Sequence, residues 1–110
     1  MNTINLTGRL TRDPESRATS GGQEVCAIRL AVDGPRDGGT VFVDVTAFGG
    51  LAQTCGRYLS RGRHVAVTGR LDYSEWEGQD GGRRSKHEVI AHSVDFLGGG
   101  QGDRADEPSS

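Results

Sequence analysis

Aromatic side chains stand at positions where strand alternation places them outside a folded core. Along residues 41–48, smaller residues alternate with a second set that includes Phe42 and Phe48. Because the wall of a small barrel takes the compact β-branched set inside, this alternation predicts that both rings point outward. The same alternation along residues 65–71, continued to Trp76, places the indole outside as well. Exposed flat rings mark either a subunit interface or a stacking site for flat ligands.

Arginine side chains share the outward positions of these strands. Arg9, Arg29 and Arg70 have the outward phase on neighbouring strands, and Arg84 lies in the polar segment after the fourth strand. Lys86 is the one lysine among 13 basic residues, and the others are arginine. This preference for arginine suits phosphate and base binding by planar guanidinium groups, but a GC-rich genome would also produce it. Rings with interleaved arginines are typical of single-stranded nucleic acid sites, where each stacked base contributes about 1 to 3 kcal/mol.

The overall charge does not by itself indicate a nucleic acid partner. The chain has 110 residues and a formal net charge of −2. Without the segment from Gly98 onward it carries 12 basic and 12 acidic residues. Nucleic-acid-binding domains recognised from charge are strongly basic, so a site of this kind must be a local concentration of arginine.

The cysteines and histidines have no metal-binding spacing. Cys26 and Cys55 stand 29 residues apart, and the three histidines fall on different predicted strands: His64, His87 and His92. Structural zinc sites use closely spaced ligand pairs, so we expect no metal and no other cofactor. Both thiols are expected to be free and buried, with a disulfide as the alternative.

The sequence has no motif for catalysis. It has neither a phosphate-binding P-loop nor a nucleophile elbow, and no histidine stands beside an obvious nucleophile. Glu75 and Glu77 flank Trp76 on a predicted hairpin stem, where charges discourage pairing between sheets. We expect that the chain is not an enzyme, and a hydrolase that uses these two glutamates is the remote alternative.

Five strands and one helix must position these residues. The strands are predicted near residues 3–10, 25–32, 41–48, 65–76 and 88–97. On the fourth strand the inward positions are those of Val65, Val67, Gly69 and Leu71. The helix has one apolar face and a stop at Gly62, and the face is formed by Leu51, Cys55, Tyr58 and Leu59. The segment 77–87 is predicted to be the tip of a projecting hairpin. This order favours an all-β OB-fold, a five-stranded Greek-key barrel with one short helix between strands 3 and 4.

Several segments resemble the bacterial single-stranded DNA-binding protein (SSB) family, in order and at matching spacing. The resemblance covers residues 2–97. The segments that carry it are 2–17, 28–32, 48–52, 58–62, 69–71 with Trp76, and 88–89. It implies the OB-fold, and it implies binding of single-stranded DNA without sequence specificity in replication, recombination, repair or chromosome maintenance. It also implies a homotetramer.

The resemblance assigns roles to individual residues. It implies that Phe42, Phe48 and Trp76 stack on bases and that Arg17, Arg61 and Arg84 contact the DNA backbone. For Arg61 the alternative is a charge that stabilises the C-terminus of the helix. For the protein as a whole, the alternative is a primosome-type adapter with the same fold, whose outward aromatics contact proteins instead of DNA.

Two segments depart from the family pattern. Residues 32–37 contain no aromatic residue where many family members carry a tryptophan, so one stacking position is expected to be missing. Residues 98–110 lack the family's long tail with an acidic, Phe-terminated tip, which argues against recruitment of replication enzymes through the tail and suggests a short-tailed accessory paralogue. We therefore expect a single-stranded DNA-binding domain over residues 1–97 and a short disordered C-terminal tail over residues 98–110.

Targeting signals are not evident in the sequence. No apolar run approaches 18 residues, and the N-terminus lacks a basic segment followed by an apolar one. We expect a cytoplasmic, nucleoid-associated protein with no membrane contact.

Overall fold

The computed structural model describes residues 1–34 and 39–97, and it describes the backbone of residues 104–106. Seven strands and one helix follow one another along this part of the chain. Their bounds are β1 (Ile4–Leu10), β2 (Glu15–Ala18), β3 (Glu24–Asp33), β4 (Thr40–Phe48), α1 (Gly49–Tyr58), β5 (His64–Glu77), β6 (Arg83–Leu97) and β7 (Arg104–Asp106).

Five of the strands form a closed ring. The neighbours run in the order β1, β5, β6, β4 and β3, and β1 also pairs with β3, which closes the ring. The pairing of β4 with β6 is parallel and the other pairings are antiparallel. With α1 between β4 and β5, which correspond to the third and fourth predicted strands, this arrangement confirms the predicted all-β barrel.

The barrel core is filled by the inward residues of the strands and by one face of α1. Leu30, Val45, Val65, Val67 and Val94 are almost completely buried. The helix adds Leu51, Ala52 and Cys55. Tyr58, which was predicted on the buried face of the helix, is instead 60% exposed, because the helix ends there and Leu59 is already extended.

The predicted helix stop at Gly62 lies beyond the end of the helix. Gly62 belongs to the following turn and has a φ of 87°, which an L-residue rarely adopts. Its amide donates a hydrogen bond of 2.8 Å to the carbonyl of Leu10, so the turn is tied to the end of β1.

The β5–β6 hairpin is longer than predicted. The two strands stay paired as far as Glu77 and Arg83, so the turn contains residues 78–82 and not the whole of the predicted tip at 77–87. Leu71 was predicted to be an inward residue, but it is 43% exposed. The pairing of β5 with β1 ends at Gly69, and a bulge between Thr68 and Gly69 shifts the register of β5, so the inward alternation does not continue to Leu71.

Both cysteines are buried and free, as predicted. Burial raises the pKa of the Cys55 thiol to about 12, and the nearby Cys26 thiol adds to the shift. Burial also raises the pKa of Cys26, although a hydrogen bond with the Ser16 side chain partly opposes this effect. The thiols are therefore protonated parts of the core at neutral pH.

Part of the predicted C-terminal tail pairs with the barrel. Residues 104–106 form β7, which pairs antiparallel with Ser93–Asp95 of β6. For these three residues the structure differs from the disorder expected from composition, because strand addition uses backbone groups and needs no apolar pattern. Residues 98–103 and 107–110 lie outside the described residues, as do residues 35–38 of the loop where the family tryptophan is missing.

Two kinds of structure, a membrane-spanning helix and a metal-binding cluster, are absent from the described residues. No helix in the described part of the chain is long and apolar enough to cross a membrane. Within the same ranges, no cluster of three or more His, Cys, Asp or Glu side chains is arranged to hold a metal ion.

Closure of the ring requires a close backbone approach at Gly8. Gly8 lies opposite Val65 of β5 on one edge of β1 and opposite Val32 of β3 on the other edge. A Cβ atom built on Gly8 would lie 2.6 Å from the carbonyl oxygen of Ala31 and 3.1 Å from the Val32 side chain. Any side chain at this position must therefore push β1 and β3 apart.

We expect Gly8→Ala to lower the free energy of unfolding by about 1 to 3 kcal/mol, because overpacking displaces backbone atoms that cannot rotate away. Chemical denaturation followed by circular dichroism measures the change. Gly21→Ala is the matched control, because its Cβ would meet nothing nearer than the Thr19 hydroxyl at 3.9 Å. An unchanged midpoint for Gly8→Ala would contradict the close approach.

Candidate nucleic-acid interface

The three aromatic residues singled out in the sequence lie on β4 of the barrel and near the end of the β5–β6 hairpin. Phe42 and Phe48 lie on the outer face of β4. Val45 and Ala47 lie on its opposite face and are buried. Phe42 is 56% exposed, and Trp76 on β5 is 48% exposed. Phe48 is half-buried. The outward orientation inferred from alternation is therefore observed for Phe42 and only partly for Phe48, whereas Trp76 is exposed on a segment of β5 where both faces are exposed.

Phe42 lies beside a guanidinium group. On β3, Ala31 is directly opposite Phe42, and Arg29 lies two residues before Ala31 on the same face. The Arg29 guanidinium carbon is 5.2 Å from the centroid of the Phe42 ring. This distance is within the range of a cation–π contact, so the predicted ring and the predicted cation are brought together.

Phe48 is the last residue of β4, immediately before α1, and it lies in line with one residue on each of the two neighbouring strands. Val25 of β3 is directly opposite Phe48, and Arg17 of β2 is directly opposite Val25. Because neighbouring strands are about 4.8 Å apart, Arg17 and Phe48 are separated by roughly 10 Å across the sheet. Arg17 is exposed at this edge, where it is available to a ligand lying across Phe48.

Trp76 lies near the end of the β5–β6 hairpin. Arg84 is its direct cross-strand partner, and the Arg84 guanidinium forms an ion pair of 3.1 Å with the Asp80 carboxylate of the turn. An open groove of about 390 Å³ adjoins the indole and is lined by Glu75, Trp76, Glu77, Gly81 and Arg83. The ring and the cation predicted for this hairpin are therefore neighbours.

The remaining arginines differ in their relation to the rings. Arg9 lies opposite Ala31, which places it two strands from Phe42, and its guanidinium donates a 3.4 Å hydrogen bond to the Gly62 carbonyl. Arg70 on β5 forms an ion pair of 3.7 Å with Asp72.

Arg61 is not on the sheet. It belongs to the turn after α1, and its backbone amide donates a 2.8 Å hydrogen bond to the Asp13 carboxylate. The helix ends at Tyr58, and the basic residue in its last turn is Arg57. Arg61 itself lies three residues beyond the end of the helix.

Carboxylates within this face were not singled out from the sequence. Asp44 of β4 lies opposite Arg29, with an oxygen–nitrogen distance of 3.5 Å, and its other oxygen is 3.7 Å from the Lys86 ammonium. Glu88 accepts a 2.6 Å hydrogen bond from the Thr46 hydroxyl. Alternation assigns Asp44 to the outer face, but its partners depend on strand register, which alternation alone does not define.

Comparison with known proteins extends these observations. The chain matches the sequence profile of the single-strand binding protein family over residues 1–97. It is 38% identical over 104 residues to the single-stranded DNA-binding protein of Clostridium perfringens (strain 13 / Type A), an alignment that covers 93% of this chain and 69% of the relative. For the protein of that name from Treponema pallidum (strain Nichols), identity is 38% over 104 residues, with 89% of this chain and 58% of the relative covered.

A third relative gives the same result. The single-stranded DNA-binding protein of Thermotoga maritima is 40% identical over 103 residues, which cover 87% of this chain and 73% of the relative. The chain thus spans 58% to 73% of the length of these three proteins. Proteins of the matched family have the OB-fold and are not enzymes, which confirms both predictions. The chain belongs to the single-strand binding protein family.

Proposed function

We propose that this protein binds single-stranded DNA without sequence specificity on the outer face of β3, β4 and the β5–β6 hairpin. Bases stack on Phe42, Phe48 and Trp76. The proposed backbone contacts come from arginine side chains, namely Arg9, Arg17, Arg29, Arg61, Arg70 and Arg84. The observation that carries the proposal is the placement of exposed rings beside arginine residues, with the Arg29 guanidinium over the Phe42 ring and Arg84 directly opposite Trp76 on the neighbouring strand.

The exposed rings support stacking. A half-exposed indole or phenyl ring leaves a large apolar surface in water, and a base that covers it removes that surface at little entropic cost because the ring is rigid. Stacking contributes about 1 to 3 kcal/mol per base, a range derived in part from proteins of this fold. Since every base has a flat face, this interaction holds a strand without reading its sequence.

The spacing of the rings requires several nucleotides. Phe42 and Phe48 are six residues apart on β4, which is roughly 20 Å at the rise of an extended strand. Trp76 lies on a different element, near the end of the hairpin. A bound strand would therefore contact the rings with different bases, while the arginines between them neutralise its phosphates.

We extend the proposal to a homotetramer. In a single chain several apolar side chains remain exposed on β4, on β5 and at the N-terminus: Met1, Val41, Leu71 and Tyr73. A barrel of this size exposes apolar surface that subunit contacts can cover. The same assembly would bring several DNA-binding faces together on one particle.

Native mass spectrometry tests the assembly. We expect a species with the mass of four chains, and a further species with one strand bound after addition of long poly-dT. A protein that remains monomeric at micromolar concentration would contradict the tetramer and would leave the DNA-binding face to be tested separately.

Fluorescence tests the role of Trp76, which is the one tryptophan in the chain. We expect oligo-dT to quench its emission at low salt, because a stacked base contacts the indole directly. We also expect log K to fall with log[salt] with a slope of about −0.7 for each phosphate neutralised. Anisotropy of a labelled oligonucleotide measures binding in parallel. Binding without quenching would contradict stacking on Trp76, and affinity that does not change with salt would contradict the arginine contacts.

Substitution of Phe42 distinguishes DNA binding from an adapter function. We expect Phe42→Ala to weaken oligo-dT binding at least about fivefold, the equivalent of one lost stacking contact. Tyr58→Ala is the matched control, because Tyr58 is similarly exposed but lies on α1. An adapter that uses these rings for protein contacts would show unchanged oligonucleotide affinity for both variants, with altered oligomer mass or partner capture for Phe42→Ala.

A further inference from the structure

We propose that Asp44 limits the affinity of this face for single-stranded DNA by holding two of its cations and by fixing one of them on a stacking ring. This inference rests on the proposed function, because it concerns the regulation of the same site. It makes a carboxylate inside the interface a determinant of both affinity and salt dependence.

Asp44 lies between cations from two neighbouring strands. Its Oδ1 atom is 3.5 Å from Nη1 of Arg29 on β3, and its Oδ2 atom is 3.7 Å from Nζ of Lys86 on β6. The Asp44 side chain is 30% exposed, and the Arg29 and Lys86 side chains are 42% and 44% exposed. Both carboxylate oxygens are therefore committed to cations that a phosphate would otherwise contact.

The ion pair between Asp44 and Arg29 also affects access to the Phe42 ring. The guanidinium that Asp44 contacts is the one that lies 5.2 Å from the centroid of the Phe42 ring. A base that stacks on this side of the ring must displace Arg29. Because the same guanidinium is paired with Asp44, its displacement also disturbs that ion pair. Without DNA, Asp44 thus favours an arrangement in which the Arg29 guanidinium already lies against part of the Phe42 ring.

Charge strengthens the same effect. Asp44, Arg29 and Lys86 together carry one net positive charge, and removal of the carboxylate leaves two. A phosphate that approaches these cations is also repelled by Asp44 through the partly solvated outer face. Exposed ion pairs of this kind are weak, so the carboxylate lowers affinity but does not prevent binding.

The acidic residues of the β5–β6 hairpin have different partners from those of Asp44. Asp72, Glu75 and Asp80 pair with Arg70, Arg83 and Arg84 respectively. Glu88 bonds to the Thr46 hydroxyl. Asp44 differs from them because it joins two cations from different strands next to a proposed stacking ring.

Asp44→Asn tests this inference in the full chain, with affinity for labelled oligo-dT measured across a salt series. We expect about fivefold tighter binding at low salt, the worth of one exposed ion pair. The slope of log K against log[salt] should steepen by about 0.7 for each cation that gains a phosphate. The gain should shrink as salt rises, because screening weakens exposed charges.

Glu24→Gln is the control for net charge. Glu24 is the first residue of β3, paired with Ala18, and lies five residues, roughly 17 Å, from Arg29 along the strand. This substitution changes the net charge by the same amount, and we expect less than twofold change in affinity. A triple variant, Arg29→Gln with Lys86→Gln and Asp44→Asn, is compared with the double variant that retains Asp44. Without its cations, Asp44 should have no more effect than Glu24.

The outcomes separate the inference from the proposed function. Wild-type protein without affinity for oligo-dT would overturn the proposed function, and the role of Asp44 with it. Wild-type binding with Asp44→Asn equal to Glu24→Gln, or weaker than wild type, would overturn only the role of Asp44. Thermal melting checks the fold of each variant, and Asp44→Ser repeats the test if the asparagine variant is unstable.

Discussion

The barrel depends on β1 pairing along both of its edges. Gly8 and Arg9 each face a residue of β5 on one side and a residue of β3 on the other. These pairings turn an open five-stranded sheet into a ring without free edges, and each strand of the ring contributes buried residues to its interior. The ring is thus the reason that Val45 is buried while Phe42, on the opposite phase of the same strand, faces outward.

The alternation of residues along a strand predicted which side chains of the barrel are buried and which face outward. In the second half of β4 a period of two is observed, because Val45 and Ala47 are buried while Thr46 and Phe48 are only partly buried. Near the start of β4 the period fails, since Val41 has the inward phase but is 48% exposed. The same rule was wrong for Leu71, which lies beyond the pairing of β5 with β1 and beyond a bulge between Thr68 and Gly69 that shifts the register. Periodicity describes which residues share a face, but it does not indicate where the interior ends.

The candidate site was predictable in its residue types but not in its contacts. The aromatic and arginine positions were found from phase and from the family resemblance. The contact of Arg29 with Phe42 and the two ion pairs of Asp44 require the register of three strands. Register depends on turns and on a bulge after Thr68, and single-residue shifts of this kind exchange the faces of a strand.

The hairpin that carries Trp76 has a mechanical consequence for the interface. Phe48 stands on a wall backed by the core, and Phe42 stands near the more exposed start of β4. Trp76 stands on a two-stranded arm held by ladder hydrogen bonds and exposed ion pairs such as Arg83 with Glu75. Two strands without a packed face bend more easily than a closed barrel. The supports of Phe48 and Trp76 therefore differ in stiffness, so in the proposed complex the indole would shift with a bound strand more readily than the Phe48 ring.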